Sequence, residues 1–289
     1  MKQRIKYFLH SLIKSIAGKN SDCPSCGCSE SAVVQRKYVV TALRRCARCR
    51  LMFRTPTTTK EENVKFYSRE YKQGFTTTLP NEHELRSMVE NEFVGSEKDY
   101  QRHIKLLEYV GAKAGDRLFD FGCSWGYGSW QFMRQGFQVE AYEVSGVRAA
   151  YAQNKLGVKA HSALARVERG SFDIFFSSHV LEHVPSVKEA IEYGLDRVRP
   201  GGIFMAMMPN GSMAYRDKNE DGWTKSWGLV HPNLLDEQFY LQAFPTESIY
   251  LASNPYDAAQ IADWAANGGR VIGRLDGDEL MVIVRKTGE

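Results

Sequence analysis

The chain has 289 residues, of which 43% are hydrophobic, 25% charged and 12% aromatic, as in an ordinary globular protein. This composition excludes a collagen, a coiled coil and a chain that is disordered throughout. No apolar run approaches the roughly 18 residues that span a membrane. The N-terminus does not resemble a cleaved signal peptide, because His10 and Lys14 interrupt its apolar residues.

The net charge of +4 is unevenly distributed along the chain. Residues 1–60 contain thirteen Lys and Arg residues against two acidic ones, a net charge of +11, so the remainder carries −7. A basic N-terminal fifth indicates contact with an anionic partner, such as a membrane surface, a nucleic acid or a phosphorylated substrate. The alternative is a basic face that is simply solvated.

Residues 1–20 are predicted to form a basic amphipathic helix. Apolar residues recur at helical spacing on one face, and they are Ile5, Phe8, Leu9, Leu12, Ile13 and Ile16. Such a helix can lie on an anionic membrane or dock on a partner protein. It can also pack against this chain's own body, which is the alternative that the pattern slightly favours.

Residues 21–54 have the pattern of a zinc ribbon. Two C-x-x-C pairs, Cys23 with Cys26 and Cys46 with Cys49, are separated by nineteen residues, a spacing typical of a four-cysteine zinc site. Each pair places two thiolates on one tight turn, and two such turns complete a tetrahedron around one Zn²⁺ ion. Four protein ligands leave no open position, so the ion is predicted to be structural.

A disulfide framework is the alternative use of these cysteines. The isolated Cys123 and the absence of a recognisable secretion signal favour a reducing compartment instead. The sequence therefore predicts a cytoplasmic protein, peripheral at the inner membrane if residues 1–20 bind lipid.

After a linker or lid segment at residues 55–80, residues 81–289 are predicted to form one α/β domain. Two helices come first, and from Asp116 short apolar strands alternate with helices, a pattern typical of βαβ units in a parallel sheet. Strands are predicted at 117–121, 138–144, 158–162, 171–177, 203–208, 248–252 and 279–285. The predicted fold is a Rossmann-like, seven-stranded, mostly parallel sheet with helices on both faces, plus the small zinc ribbon.

The segment 120–128, Asp-Phe-Gly-Cys-Ser-Trp-Gly-Tyr-Gly, joins the first strand of this region to its first helix. Glycines at such a turn let a ligand approach the backbone, and the helix N-terminus favours a polar group. Glu143, at the end of the second strand, is placed to accept hydrogen bonds from two ribose hydroxyls.

These motifs resemble the class I S-adenosylmethionine-dependent methyltransferases. Asp120-x-Gly-Cys-x-x-Gly126 resembles the first motif of that family, Glu143 its ribose-binding acid, and 172–184 its fourth-strand signature. Arg-Pro-Gly-Gly at 199–202 resembles the turn before its fifth strand. The resemblance implies S-adenosyl-L-methionine as cofactor, bound by Asp120, Gly122, Cys123, Ser124, Gly126, Tyr127, Glu143, Val144 and Ser178.

One position departs from the family pattern, since Ser124 stands where the family usually has glycine. Together with the N-terminal ribbon, the motifs are similar to bacterial methyltransferases that carry a zinc-binding module, including sugar C-methyltransferases. That similarity implies a small-molecule or glycan acceptor, such as a sugar, a sugar nucleotide or a surface polysaccharide intermediate.

His179 and His231 are the predicted catalytic residues, because histidine is the commonest base near neutral pH and both follow strands at the edge where ligands bind. His183 matches a family histidine that lies near the cofactor or is structural. The loop 210–232 contains Tyr215, Trp223 and Trp227, which can form an acceptor wall or cover a small satellite core.

Three functions fit the sequence. The first is methyl transfer to a small molecule or glycan. The second is methylation of RNA, with the basic ribbon binding its phosphates. Because the ribbon has few of the aromatic residues that stack on bases, nucleic acid is the less favoured partner. The third is a non-enzymatic adaptor, for which Ser124 is the sequence support.

Overall fold

The computed structural model describes residues 12, 14, 21–37, 39–66, 78–164 and 167–288. Within these ranges the chain forms twelve strands and ten helices. The strands are β1 (Ser31–Lys37), β2 (Thr41–Cys46), β3 (Met52–Thr55), β4 (Arg117–Phe121), β5 (Gln138–Tyr142), β6 (Lys159–His161), β7 (Phe172–Ser178), β8 (Val198–Pro209), β9 (Asn233–Leu234), β10 (Ser248–Ser253), β11 (Arg270–Ile272) and β12 (Glu279–Arg285). The helices are α1 (Lys60–Lys65), α2 (Glu82–Glu90), α3 (Gln101–Tyr109), α4 (Tyr127–Arg134), α5 (Gly146–Leu156), α6 (Val187–Arg197), α7 (Met213–Lys218), α8 (Glu220–Lys225), α9 (Glu237–Ala243) and α10 (Ala258–Asn267).

The main sheet has the order β11-β10-β12-β8-β7-β4-β5-β6. Among the described strands of this sheet, β12 alone runs antiparallel to its neighbours, so the predicted mostly parallel α/β sheet is confirmed. The sheet has eight strands where seven were predicted. The additional strand, β11, is a three-residue edge strand between Gly269 and Gly273, too short to give a periodic signal in the sequence.

Helices cover both faces of this sheet, as predicted. On one face α6 and α9 contribute Val187, Ile191 and Phe239 to a buried cluster. On the other, α3, α4 and α10 pack side chains such as Phe132 and Trp264 against the sheet. The central strands are apolar on both faces because neither face meets water.

A second sheet has the order β1-β2-β3-β9 and is antiparallel throughout. Its first three strands come from the predicted ribbon. The fourth, β9, comes from the long segment after β8, with Phe53 paired to Asn233 and Met52 to Leu234. A short piece of the predicted methyltransferase domain therefore completes the sheet of the ribbon.

Of residues 1–20, the structure describes Leu12 and Lys14, both in helical conformation. The rest of the predicted amphipathic helix lies outside the described residues. The Lys14 ammonium donates to the Glu62 carboxylate at 2.5 Å and to the Thr57 carbonyl at 3.1 Å. The N-terminal segment therefore contacts the start of α1 at this point.

Within the part of the chain that the structure describes, no helix combines the length and the apolar character that crossing a bilayer requires.

Candidate functional site

A cavity of about 900 Å³ opens at the edge of the main sheet where the parallel strands end. Because carboxyl ends of parallel strands share one edge, the loops after β4, β5 and β7 meet there. Since β12 runs antiparallel, its first residue, Glu279, reaches the same edge, paired in register with Pro209. The predicted residues that line the cavity are Gly122, Ser124, Tyr127, Glu143, Val144, Ser178, His179 and His231.

The glycine loop needs glycine for two different contacts. Gly122 has φ +92°, and a Cβ there would overlap the Val180 side chain at the cavity wall. Gly126 has φ +90° at the start of α4, and a Cβ there would lie 2.7 Å from the Ala152 Cβ. Both positions combine a left-handed backbone with a close approach, which a side chain tolerates poorly.

Ser124 adopts φ +52°, the left-handed region that glycine ordinarily occupies. Ser124 therefore has the backbone conformation that the glycine of the family pattern can adopt without strain. A single non-glycine residue in this region costs about 1–3 kcal/mol, which the surrounding structure has to offset.

Asp120, Cys123 and Gly126 belong to the same segment but do not line the cavity. The buried Asp120 carboxylate accepts a hydrogen bond of 2.5 Å from the Ser129 hydroxyl in the first turn of α4. Burial, with a smaller contribution from the charge on Glu143, raises the pKa of Asp120 to about 7 against the opposing effect of the Ser129 hydrogen bond. Cys123 packs among buried side chains of α5 and neighbouring elements.

Glu143 is held firmly at the cavity edge. Its Oε1 accepts hydrogen bonds from the Ser145 backbone N–H at 2.8 Å and from Arg148 Nε and Nη2 at 3.0 and 2.6 Å. All three hydrogen bonds converge on one carboxylate oxygen. The geometry therefore leaves Oε2 as the oxygen that can accept from a ligand in the cavity.

His179 follows β7 with φ +54° and lies between two carboxylates. Its Nε2–H donates to Glu279 Oε2 at 2.9 Å, and its Nδ1 lies 3.5 Å from Glu182 Oε1. The surrounding protein desolvates the ring and lowers its pKa, but the contacts with Glu182 and Glu279 outweigh this and raise the pKa to about 10. The free protein thus favours the imidazolium form, the opposite of what a base at neutral pH requires.

Glu182, His183 and His231 come together beside His179. Glu182 is 1% exposed, and its Oε1 lies 3.7 Å from His183 Nε2. The two histidine rings meet edge to face with centroids 4.7 Å apart. Burial raises the pKa of Glu182, yet the histidines around it outweigh burial and hold the pKa near 2, while burial lowers the pKa of His183.

The four predicted cysteine ligands cluster at the end of the ribbon sheet. The Cys23 and Cys49 sulfurs lie 3.6 Å apart and those of Cys26 and Cys46 3.5 Å apart, and all four are unpaired thiols. A zinc tetrahedron with Zn–S bonds of about 2.3 Å has S–S edges of about 3.8 Å. The cluster is therefore close to the size that a four-cysteine zinc site requires.

The basic side chains of the ribbon bind the chain itself. Arg45 forms a nearly buried ion pair with Asp236 at 2.6 Å, Arg54 donates to the Gly228 carbonyl at 2.9 Å, and Arg50 donates to the Gln238 side chain at 2.7 Å. The Lys37 ammonium lies 4.1 Å from the centroid of the Trp227 ring. Much of the positive charge of this region thus attaches the ribbon to the methyltransferase region.

The aromatic residues of loop 210–232 cover a satellite core, so the alternative of an acceptor wall was wrong. Trp223, Trp227 and Tyr215 are buried together with ribbon residues such as Leu43 and Met52. The ribbon supplied an apolar surface that the sequence did not reveal. Residues 67–77 of the predicted linker or lid segment lie outside the described residues.

Three residues that line the cavity were not predicted from the sequence: Glu182, Glu279 and Arg148. Glu279 accepts from His179, from Arg102 and from the Tyr256 hydroxyl. Its signal was available in principle, because an antiparallel last strand brings its first residue to the ligand-binding edge. Arg148 gave no comparable signal, since a basic residue in the first turn of a helix is common on surfaces.

A glycine turn and a strand-end acid beside one cavity, on a Rossmann-like sheet with an antiparallel last strand, define the class I S-adenosylmethionine-dependent methyltransferases. The model of the methyltransferase-domain family matches residues 96–267, which is more than half of the chain. The chain belongs to this family.

Curated proteins that the chain resembles include methyltransferases of ubiquinone biosynthesis. A ubiquinone biosynthesis O-methyltransferase of Ralstonia nicotianae is 33% identical over 119 residues, which cover 38% of this chain and 50% of that protein. Its namesake in Xanthomonas axonopodis pv. citri is 32% identical over 127 residues, covering 38% and 51%. The chain thus spans about half the length of the curated relatives it matches.

Among solved structures, phosphoethanolamine N-methyltransferase 2 of Haemonchus contortus, in complex with S-adenosyl-L-methionine, superposes with a TM-score of 0.50. The sequence identity is 14%, and the match covers 82% of this chain and 62% of that one. At this identity the likeness establishes the fold.

Proposed function

We propose that this chain transfers the methyl group of S-adenosyl-L-methionine to a hydroxyl group of a small-molecule acceptor. The observation that carries the proposal is one continuous cavity. It runs from the glycine loop and Glu143 at one end to His179, His183 and His231 at the other. Its volume of about 900 Å³ lies in the range of sites that bind small molecules. In such sites a few polar groups set the orientation of the ligand.

The first end fits the cofactor. Backbone at Gly122 can approach a ligand closely, the N-terminus of α4 favours a polar group, and Glu143 Oε2 can accept from ribose hydroxyls. When bound, S-adenosyl-L-methionine supplies a methyl group that its sulfonium already activates. The part of the protein is to hold the acceptor oxygen in line with that methyl group and to exclude competing water.

The second end fits an oxygen acceptor. Charged and imidazole groups converge there, among them His179, His183, His231 and Glu182. The relatives named above are O-methyltransferases. We assign His179 and His231, the residues predicted as catalytic, to contact with the acceptor hydroxyl.

The positions of the aromatic and basic side chains narrow the class of acceptor. An aromatic wall formed by Trp223 and Trp227 would suit a sugar acceptor, but these residues are buried against the ribbon. RNA is disfavoured because Arg45, Arg50 and Arg54 bind the chain itself. A small molecule with a free hydroxyl group, with or without a sugar, is the class that remains.

We also propose that the cysteine cluster holds a structural Zn²⁺ ion. Four sulfurs at the end of a short sheet match a closed tetrahedral site. The cluster lies outside the cavity lining, so this ion would stabilise the ribbon and would not act on the acceptor.

The cofactor assignment is tested by isothermal titration of S-adenosyl-L-methionine. Glu143→Ala is expected to weaken binding by at least about tenfold, because ribose hydroxyls lose a charged acceptor, worth about 1.5–3 kcal/mol. Glu140→Ala is the matched control, since Glu140 lies on β5, the strand that Glu143 directly follows, but pairs with Lys159 outside the cavity. Equal affinity in the Glu143→Ala and wild-type proteins would refute the assignment.

The acceptor class is tested with radiolabelled cofactor. Catechols, sugar nucleotides and total RNA are incubated with the protein in parallel, and label is measured in each. We expect label in a hydroxyl-bearing small molecule and none in RNA. Label in RNA alone would overturn the proposal, and cofactor binding without transfer to any hydroxyl compound would favour the adaptor.

A further inference from the structure

Three side chains at the acceptor end of the cavity are arranged as metal ligands. The ligating atoms of Glu182, His183 and His231 all lie within 4.8 Å of one another. An ion bound at about 2.0–2.2 Å from nitrogen and oxygen brings its ligands within about 4.4 Å of each other. Small side-chain rotations would therefore close the site.

Both histidines are oriented by their outer nitrogens. His183 Nδ1 lies 2.9 Å from the Val230 carbonyl oxygen, and His231 Nδ1 lies 3.0 Å from the Ser226 carbonyl oxygen. A carbonyl oxygen can only accept, so each Nδ1 carries the proton and each Nε2 carries the lone pair. This outer hydrogen bond is the one that metal-ligating histidines usually make.

Glu182 supplies the third ligand and the negative charge. Among the residues that the structure describes, none donates a hydrogen bond to either of its carboxylate oxygens, although the side chain is 1% exposed. A buried carboxylate without hydrogen bonds is costly, and cations offset that cost. Its contacts with the ring nitrogens of His179 and His183, at 3.5 and 3.7 Å, are longer than hydrogen bonds of normal strength.

We propose that Glu182, His183 and His231 bind a divalent first-row transition-metal ion. Two imidazoles and one carboxylate suit Mn²⁺, Fe²⁺, Co²⁺ or Zn²⁺ and leave coordination positions open. Because all three residues line the cavity, the open positions face the acceptor end. The ion is distinct from the one assigned to the cysteines, whose sulfur ligands select soft metals.

The ligand for the open position is the hydroxyl oxygen of the acceptor, an assignment that rests on the proposed function. Coordination lowers the pKa of the hydroxyl, so its O–H bond breaks and the proton leaves to water in the cavity. An oxygen electron pair then forms the bond to the methyl carbon while the C–S bond breaks and sulfur keeps its electron pair. In this arrangement the contact between His231 and the acceptor hydroxyl, assigned above, runs through the ion, and His231 does not accept the proton.

The test is a titration of the full chain with Mn²⁺, followed by electron paramagnetic resonance of the free ion. Mn²⁺ is used because it prefers nitrogen and oxygen ligands over the thiolates of the cysteine cluster. We expect one Mn²⁺ per chain. Glu182→Gln and His231→Gln should each weaken Mn²⁺ binding by at least about tenfold. Replacing a residue that only orients a metal ligand already lowers metal affinity by that much.

His161→Ala is the matched control, because His161 also lies against a carboxylate, that of Glu140, but outside the cavity. It should bind Mn²⁺ as the wild-type protein does. Thermal melts show whether each variant folds, and two independent ligand variants keep the test valid if one does not. Absence of Mn²⁺ binding in the wild-type protein, or equal binding in both ligand variants, would overturn the site.

Failure of the metal site is separable from failure of the proposed function. Glu143→Ala should lose cofactor affinity and keep Mn²⁺ binding, whereas Glu182→Gln should do the reverse. A wild-type protein that transfers methyl groups equally well after chelation and binds no Mn²⁺ would refute the ion while leaving the methyltransferase assignment intact.

Discussion

The cysteine cluster and the Glu182–His183–His231 cluster are both groups of ligating side chains, but they are assembled in different ways. The cysteines come from two C-x-x-C turns on one small sheet, so their spacing along the chain already contains the geometry. His231 is 49 residues from Glu182 and reaches it because the segment after β8 folds back over the end of β7. A site built from neighbouring turns can be recognised in the sequence, whereas a site whose ligands come from distant segments cannot.

The largest expected effect is on the cysteine side of this comparison. Cys46 is fully buried, and Cys46→Ser removes one of the four zinc ligands. We therefore expect loss of most bound zinc and a lower melting temperature. Elemental analysis and calorimetry measure the two quantities. Cys28→Ser is the control, because Cys28 lies outside the cluster. Full zinc content in Cys46→Ser would show that the cluster is not the site.

Arg45→Ala tests how strongly the ribbon, which carries the cysteine cluster, is attached to the α/β domain. Removing one partner of a nearly buried ion pair leaves Asp236 uncompensated, at a cost of about 3–5 kcal/mol of unfolding free energy. Urea unfolding measures the change. The control, Lys60→Ala, breaks an ion pair with Glu189 in which both side chains are 60% exposed, and it should cost about 0–1 kcal/mol. Equal costs would mean that the Arg45 pair is effectively solvated.

Asp120, at the cavity end of β4, should make the stability of the protein depend on pH. The pKa of Asp120 is about 7 in the folded protein and about 3.9 in an unfolded chain, so the folded state holds an extra proton between these values. Stability linked to this group therefore falls as pH rises from about 4 to about 7, by at most about 1.4 kcal/mol per pH unit.

Asp120→Asn removes that dependence. Its unfolding free energy, measured relative to the wild-type protein by urea denaturation, should increase with pH across this window and stay constant above it. A difference that does not vary with pH would show that Asp120 is ionised throughout.

The smallest expected effect concerns the backbone of the glycine loop. Gly122→Ala forces a side chain into a left-handed conformation and against Val180, which should cost about 1–3 kcal/mol and weaken cofactor binding. Gly146→Ala is the control, because a Cβ there meets nothing within 4 Å. Thermal melts and cofactor titration distinguish the two, and unchanged affinity in Gly122→Ala would mean that the cofactor does not approach this turn.

Much of the fold could be predicted because the parallel strands are short, apolar runs between clear turns. The predicted bounds of β4 and β12 are the observed ones, and those of β5, β7 and β10 differ by one or two residues. The edge strand β11 and the two-residue β9 could not be predicted, since each depends on a neighbour that the sequence does not identify.

The candidate site, like the fold, could be predicted from the sequence only in part. Residues adjacent to a strand end, such as Glu143 and His179, follow from strand direction alone. The charge state of His179 does not, because it depends on Glu279, 100 residues further along the chain. The Trp residues of the long loop were ambiguous for the same reason, since the ribbon residues that bury them, such as Leu43 and Met52, lie more than 170 positions earlier in the chain.

The shared sheet has a consequence for any attempt to exchange the ribbon. A cut after residue 54 looks natural in the sequence, yet β3 pairs with β9, and the Arg54 N–H donates to the Pro232 carbonyl next to His231. A chimaera with a foreign ribbon would leave residues 228–234 without their supports and His231 free to move. The ribbon and this loop are therefore one transplantable unit, although more than 170 residues separate them along the chain.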